Sequence, residues 1–282
     1  KLIGEGKNYQ RHLLSVGSLG GGNHYIELNI DKNGEKWIVV HSGSRNFGNK
    51  IATYSQKLAI KYCEEQSDLY KKSIKGKIGE LKRENRSNEI EELLSVEKNI
   101  HDVTKELSFL EGELLNKYLE LIKVADEFAK LNRMTMVRKI MDFLGVKEAL
   151  NSVHTIHNYF EKDLLGNTYI RKGAISAKKD ETVIIPINMR DGSIVAKGLG
   201  NTESNSSAPH GAGRLMSRTE AKEKLNMENF KKTMQNVYST TVNENTLDEA
   251  PFAYKPIEEI IENTKDMIEI IDIIRPIYNF KA

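Results

Sequence analysis

Apolar and polar positions alternate along Tyr25-Ile26-Glu27-Leu28-Asn29-Ile30, the period-two pattern of a half-buried strand. Trp37-Ile38-Val39-Val40 is a continuous apolar run and predicts a second strand, with Lys32-Asn33-Gly34 between them as a hairpin turn. From about Ile51 to Leu144 the rhythm changes to three and four. It runs through Ile51, Ser55, Leu58 and Tyr62, then through Ile100, Val103, Leu107, Leu110, Leu114, Tyr118, Leu121, Ala125 and Phe128. This predicts helices, read as a helical hairpin packed on the sheets: an insertion or core element rather than chemistry. Between the two stripes, Lys71 to Asn88 is charged and fits a solvated helix or a connection. Strands return at Tyr169-Ile170-Arg171, Thr182–Pro186 and Ser193–Ala196, the last two joined by the turn Arg190-Asp191-Gly192. Residues 198–214 predict a loop. Ser217–Met227 and Ile257–Ile274 predict helices, and Arg275 to Ala282 a tail. Strands and helices come in blocks, not in strict alternation, which predicts an α+β fold.

Composition narrows the class only slightly. The chain has 282 residues, 42 basic against 40 acidic, for a net charge of +2. That balance neither demands nor excludes a nucleic acid, because a basic stripe can sit inside a neutral total. The single Cys63 excludes an internal disulfide and predicts a reducing, cytoplasmic setting. No apolar run is long enough to span a membrane, so no membrane partner is expected. Oligomeric state is not legible. The chain opens in mid-pattern with Lys1-Leu2-Ile3-Gly4, which leads us to expect that a segment precedes it.

The candidate chemistry lies in four histidines flanked by glycines or turns: His24, His41, His157 and His210. His12, His101 and His154 lack that context. Histidine is a common metal ligand and a competent nucleophile. His210 stands in Ser206-Ser207-Ala208-Pro209-His210-Gly211-Ala212-Gly213-Arg214, where the glycines let backbone approach a ligand closely. Gly20-Gly21-Gly22-Asn23 can cradle a phosphate with backbone N–H groups, yet matches neither a Walker loop nor a dinucleotide fingerprint. Arg45, Arg214 and Arg218 are candidates to track an anionic backbone. These residues leave three readings open: a metal-dependent phosphoesterase, a nucleotidyl transferase with His210 as nucleophile, and a non-catalytic RNA-binding module.

The motifs together resemble the RtcB family of RNA-splicing ligases. The resemblance rests on Leu19-Gly20-Gly21-Gly22-Asn23-His24-Tyr25-Ile26-Glu27, Val40-His41-Ser42-Gly43-Ser44-Arg45, Ile156-His157-Asn158, Arg171-Lys172-Gly173-Ala174, Pro186-Ile187-Asn188-Met189, His210-Gly211-Ala212-Gly213-Arg214 and the penultimate Lys281. It implies one RtcB-like catalytic domain over 1–282, of packed, mostly antiparallel sheets with surrounding helices and a helical insertion near 51–144. It implies an enzyme that uses GTP and manganese to join RNA ends bearing a 2′,3′-cyclic phosphate or 3′-phosphate to a 5′-hydroxyl, in tRNA splicing or RNA repair. His210 would carry the GMP. His24, His41 and His157 would bind manganese. Guanylate contacts would come from Asn23, His24, Tyr25, Ile26, Glu27, His157, Asn158, Pro186, Ile187, Asn188, Met189, Ser193, His210, Gly211, Ala212, Gly213 and Lys281. Arg45, Arg214 and Arg218 would meet RNA phosphates. Two departures stand out: Ile187-Asn188 replaces the family's Gly-Ser, and the family's Asp and Cys metal ligands have no counterpart here. Those ligands are expected in an upstream segment.

Overall fold

In the computed structural model, which describes residues 7–163 and 166–282, the predicted hairpin is one edge of a six-stranded sheet. The opening Lys1-Leu2-Ile3-Gly4 lies outside the described residues. Strands β1 (Tyr25–Ile30) and β2 (Lys36–His41) pair antiparallel with Tyr25 opposite His41. After a hairpin of β3 (Asn158–Lys162) and β4 (Thr168–Lys172) comes the short β5 (Ala174–Ser176), which pairs with β8 (Ser207–Pro209). Strands β6 (Thr182–Asn188) and β7 (Gly192–Gly198) form the other side of the large sheet. Pro186 is accommodated because β6 is an edge strand, where a missing N–H costs no ladder bond. The two-residue β9 (Tyr238–Ser239) adds the sheet's parallel pairing, to β10.

Strand β10 (Ile268–Lys281) joins the two sides. Its first half pairs with β7 and its second half with β1, both antiparallel. This corrects the expectation of a helix through Ile274 and a loose tail. The helix there, α7, covers Ile257–Thr264 only, and the chain then extends. The reason lies in the pairing. A register shift between Ile270 and Asp272 breaks the strict alternation, so the isoleucines fall at spacings that imitate a helix. Their β-branched side chains still favour the pleated surface.

The helical region forms α2 (Arg45–Arg83), α3 (Ile90–Val96) and α4 (Gly112–Leu144), and α1 (Lys7–Leu14) precedes β1. The charged stretch Lys71 to Asn88 is helical as far as Arg83. Two compact units result. One holds Asn46–Ala125 with the described residues up to His12, and the other holds Leu13–Arg45 and Asp126–Ala282. In the first, Cys63 is buried against the Phe109 backbone.

The second unit carries the sheets and two apolar clusters. One gathers Ile175, Val183, Ile185, Ile187, Ile194 and Ile268, with Ile260 of α7. The other gathers Met189, Phe230 and Met234, with Phe230 and Met234 contributed by α6 (Met227–Thr233) and its end. Each fully buried isoleucine is worth about 1.5–3 kcal/mol of transfer free energy, so these clusters hold the strand ends in place. Helix α5 (Arg218–Lys224) is capped by Ser217, whose hydroxyl accepts from the Glu220 amide. Among the described residues no helix is long and apolar enough to cross a membrane.

Candidate functional site

The fold brings the four glycine- and turn-flanked histidines into one row. His24 precedes β1, His41 ends β2, His157 precedes β3 and His210 follows β8. Ring centroids lie 5.8 Å apart for His24–His41, 5.6 Å for His41–His157 and 4.5 Å for His157–His210. Tyr25 stacks on His41 at 5.4 Å. The hairpin pair His24 and His41 is more than a hundred positions from His157 and His210, and only the fold makes the two pairs neighbours.

Backbone carbonyls orient two of the rings. His24 Nδ1 lies 2.8 Å from the Leu19 carbonyl, and His210 Nδ1 lies 2.7 Å from the Gly173 carbonyl. Only a protonated Nδ1 can donate to a carbonyl, so each neutral ring keeps its lone pair on Nε2. Gly173 does double service, because its N–H donates to the His157 carbonyl at 2.9 Å. It does so at φ +68°, a backbone conformation that favours glycine. Burial, reinforced by the neighbouring rings, holds His41 down at about 3 and His157 at about 4. Burial lowers His24 as well, against the Leu19 carbonyl. His24, His41 and His157 are therefore uncharged at neutral pH, the state in which imidazole binds a cation.

As a metal site the row is partial. Neutral imidazoles suit a borderline divalent cation, and His157 Nδ1 is buried with no hydrogen-bond partner. Among the described residues, however, no group of three or more His, Cys, Asp or Glu side chains is arranged to hold a metal ion. The donors present fit the imidazole portion of such a centre.

Beside the row lies a buried polar cluster built on β1 and β10. Lys281 stands opposite Tyr25 in register, with its Nζ 5.3 Å from the Tyr25 ring centre. Glu27 stands opposite Asn279 and accepts hydrogen bonds from Asn279 and Asn29. Burial raises the Glu27 carboxyl to about 7, against the pull of those two amides and of Lys281. Ser193 is fully buried on β7, opposite Pro186. The Pro186 carbonyl accepts from the Ala212 amide, which ties β6 to the loop after His210. Ile187 and Met189 point into the two apolar clusters, so only their backbone can face a ligand. The Asn188 amide is committed to its own turn, donating to Asp191 and accepting from the amides of Arg190 and Asp191. Asn23 and Asn158 are exposed. Ile26 pairs with Val40 and Phe280.

The three arginines differ. Arg45 sits behind His24, its Nε donating to Ser18 Oγ at 3.3 Å. Its guanidinium fills the space a Cβ on Gly20 would need, 1.5 Å away, and Gly20 has φ +92°. Arg214 is fully engaged. It donates to the carbonyls of Met216 and Asp248 and to Glu249, with Tyr254 beneath its plane. Arg218 is exposed and pairs with Asp248 at 2.6 Å and Glu249 at 2.8 Å.

Sequence reasoning missed two groups. Glu249 is 2% exposed and meets Arg214, Arg218, Lys281 and Tyr254 together. Its Oε2 lies 2.7 Å from Lys281 Nζ. Asn132 and Arg133 lie on α4, in a stretch read as mere insertion. Their signal was an asparagine on a buried helix stripe with Ala129 and Met136, where a polar group needs partners. Arg133 also reaches His154, which had been set aside, with Nη2 3.1 Å from its Nε2.

A family profile described as tRNA-splicing ligase RtcB matches residues 4–282. An RNA-splicing ligase RtcB1 and an RNA-splicing ligase RtcB from two strains of Escherichia coli are 34% and 33% identical to the chain. Each alignment covers 98% of this chain and 62% of the relative. A tRNA-splicing ligase RtcB of Nanoarchaeum equitans is 23% identical, over 97% of this chain and 61% of its own length. The chain thus spans somewhat under two thirds of the length of these relatives, and with its α+β architecture and histidine row it belongs to the RtcB family.

Proposed function

We propose that this chain carries the nucleotidyl-transfer chemistry of an RNA ligase that joins 3′-phosphate or 2′,3′-cyclic-phosphate ends to 5′-hydroxyl ends at the expense of GTP. One observation carries the reading: His210 closes the imidazole row with its Nδ1 committed to the Gly173 carbonyl, so that Nε2 is the nucleophile. Nε2 attacks the α-phosphorus of substrate GTP. A nitrogen–phosphorus bond forms, the bond to the β-phosphate oxygen breaks, and pyrophosphate leaves. The phosphoramidate is labile and passes GMP to an RNA 3′-phosphate oxygen. The RNA 5′-hydroxyl then attacks the 3′-phosphorus, losing its proton and expelling GMP. A cyclic phosphate is first hydrolysed to the 3′-phosphate.

Lys281 and Glu27 hold the guanine, as donor and acceptor of base hydrogen bonds. Gly211 to Gly213 admit the ribose and α-phosphate. Arg45 and Arg218 meet RNA phosphates, and Arg214 braces the loop from behind. His24, His41 and His157 would hold manganese, which when bound offsets the negative charge of the triphosphate. The second compact unit houses this chemistry, and the helical unit is an insertion into it.

The test is labelled GTP with manganese. Acid-labile, base-stable label is expected on the chain and is expected to be absent from His210→Ala. Full labelling of that variant refutes the assignment. Phosphate release without label favours a phosphoesterase, and RNA retention without either favours a binding module.

A further inference from the structure

We propose that Asn132 and Arg133 are positioning residues that lock three histidine-bearing loops into one row. Both lie on the part of α4 within the sheet-bearing unit. Asn132 is fully buried and uses both ends of its amide. Its Oδ1 accepts from the Gly17 and Ser18 amides at 2.7 and 3.1 Å. Its Nδ2 faces the Ser18 carbonyl, the Ser42 hydroxyl and the Gly43 carbonyl at 3.1–3.2 Å. One side chain therefore clamps the loop leading to His24 against the turn that follows His41. The Ser42 hydroxyl completes the clamp by donating to the Leu19 carbonyl at 2.7 Å, the same carbonyl that orients His24.

Arg133 extends the tie to the third loop. Its Nη1 donates to the Ser42 carbonyl at 2.8 Å, and its Nη2 donates to His154 Nε2 at 3.1 Å. His154 is three residues from His157. The rigid fork of the guanidinium suits this span, because two of its arms bind at fixed separation. Neither residue is placed to touch a ligand through these bonds. They act by holding His24, His41 and His157.

The inference rests on reading the histidine row as the reacting centre, but its test does not need catalysis. The ring nitrogens of 15N-labelled chain are read by two-dimensional NMR without nucleotide or metal. In the parent chain His154 is expected as its Nδ1–H tautomer, with Nε2 accepting from Arg133. Arg133→Met is expected to shift the ring nitrogens of His41, His154 and His157 while leaving the His101 ring of the other unit unmoved. Added methylguanidine is expected to restore them. Arg133→Lys keeps the charge but cannot span both acceptors, and is expected to fold and show the same shifts. If the Met variant does not fold, the Lys variant decides. In the GTP-labelling reaction both variants are expected to slow labelling on the order of 10–100-fold, the usual effect of removing a residue that orients a histidine, at unchanged half-saturating GTP. Parent-like ring spectra in Arg133→Lys overturn the proposal. Absence of GTP label in the parent chain refutes the ligase reading alone, since the ring spectra stand without it.

Discussion

Glu27 makes the polar cluster on β1 and β10 sensitive to pH, and the size of the effect can be worked out. Its carboxyl titrates at about 7 in the fold against an ordinary 4.5, chiefly because it is buried. A raised acid binds its proton more tightly when folded. The folded chain therefore holds more protons than the unfolded chain between those two values, and stability falls as pH rises through that window. A shift of that size corresponds to roughly 3 kcal/mol in full. Between pH 5 and pH 8 the loss is somewhat smaller, because the unfolded carboxyl is already partly ionised at pH 5. Glu27→Gln removes the titration and keeps an acceptor for one of the two asparagines. Urea unfolding of both proteins at pH 5 and pH 8 gives four free energies. The parent is expected to lose roughly 2–3 kcal/mol more than the variant on going to pH 8. Other groups, including the histidines, cancel in that difference. Parallel pH profiles would show that Glu27 is solvated and would refute the reasoning.

Glu249→Gln leaves Lys281 buried beside a neutral amide and loosens Arg218. Breaking such a pair is expected to cost about 3–5 kcal/mol, read as a lower urea midpoint, and to weaken GTP labelling at low nucleotide. Removal of the last two residues takes away Lys281 and strips the buried Glu249 of one of its cations, so it is expected to lower the thermal midpoint as well as to raise the GTP needed for half-maximal labelling. Gly192→Ala places a Cβ 2.0 Å from the Ile274 carbonyl at φ +80°, so it is expected to destabilise the chain by more than the ~1 kcal/mol of an ordinary surface change. Manganese titration followed by electron paramagnetic resonance is expected to find at most one weakly held ion per chain, because imidazoles alone are poor ligands for manganese. Two tightly held ions would contradict that reading.

The fold was legible where a single element sets its own pattern. Tyr25–Ile30 shows clean alternation and is a strand, but the pattern does not give the face: Tyr25, Glu27 and Asn29 are buried and the apolar Ile26, Leu28 and Ile30 are only half-covered. The long helices announced themselves through repeated apolar spacing, although the first part of the second stripe, Ile100, Val103, Leu107 and Leu110, precedes α4, which begins at Gly112. Strand β10 was hidden because its pairing switches from β7 to β1 midway, and the register shift at Ile270 scrambles the period. The histidines could be picked out by their glycine neighbours, yet nothing local shows that His41 and His157 stack. That depends on where β2 and the β3–β4 hairpin meet, a tertiary fact with no trace in either segment.

The residues that escaped notice share a physical character. Asn132, Arg133 and Glu249 do their work by satisfying several partners at once, and each looks ordinary alone. An asparagine in a helix reads as a weak helix former, and a glutamate before Ala250-Pro251 reads as a turn residue. Burial changes their meaning. A side chain with little or no exposure must find partners for its polar atoms, and Asn132 finds five contacts within 3.2 Å. The cost of leaving any of them unmet is about 1–3 kcal/mol, which fixes the loops more firmly than packing of Gly17–Gly22 could. Loops rich in glycine have little side-chain surface to bury, so their positions must be set by hydrogen bonds from outside. That is why the anchors of the histidine row sit on a helix that carries none of its histidines.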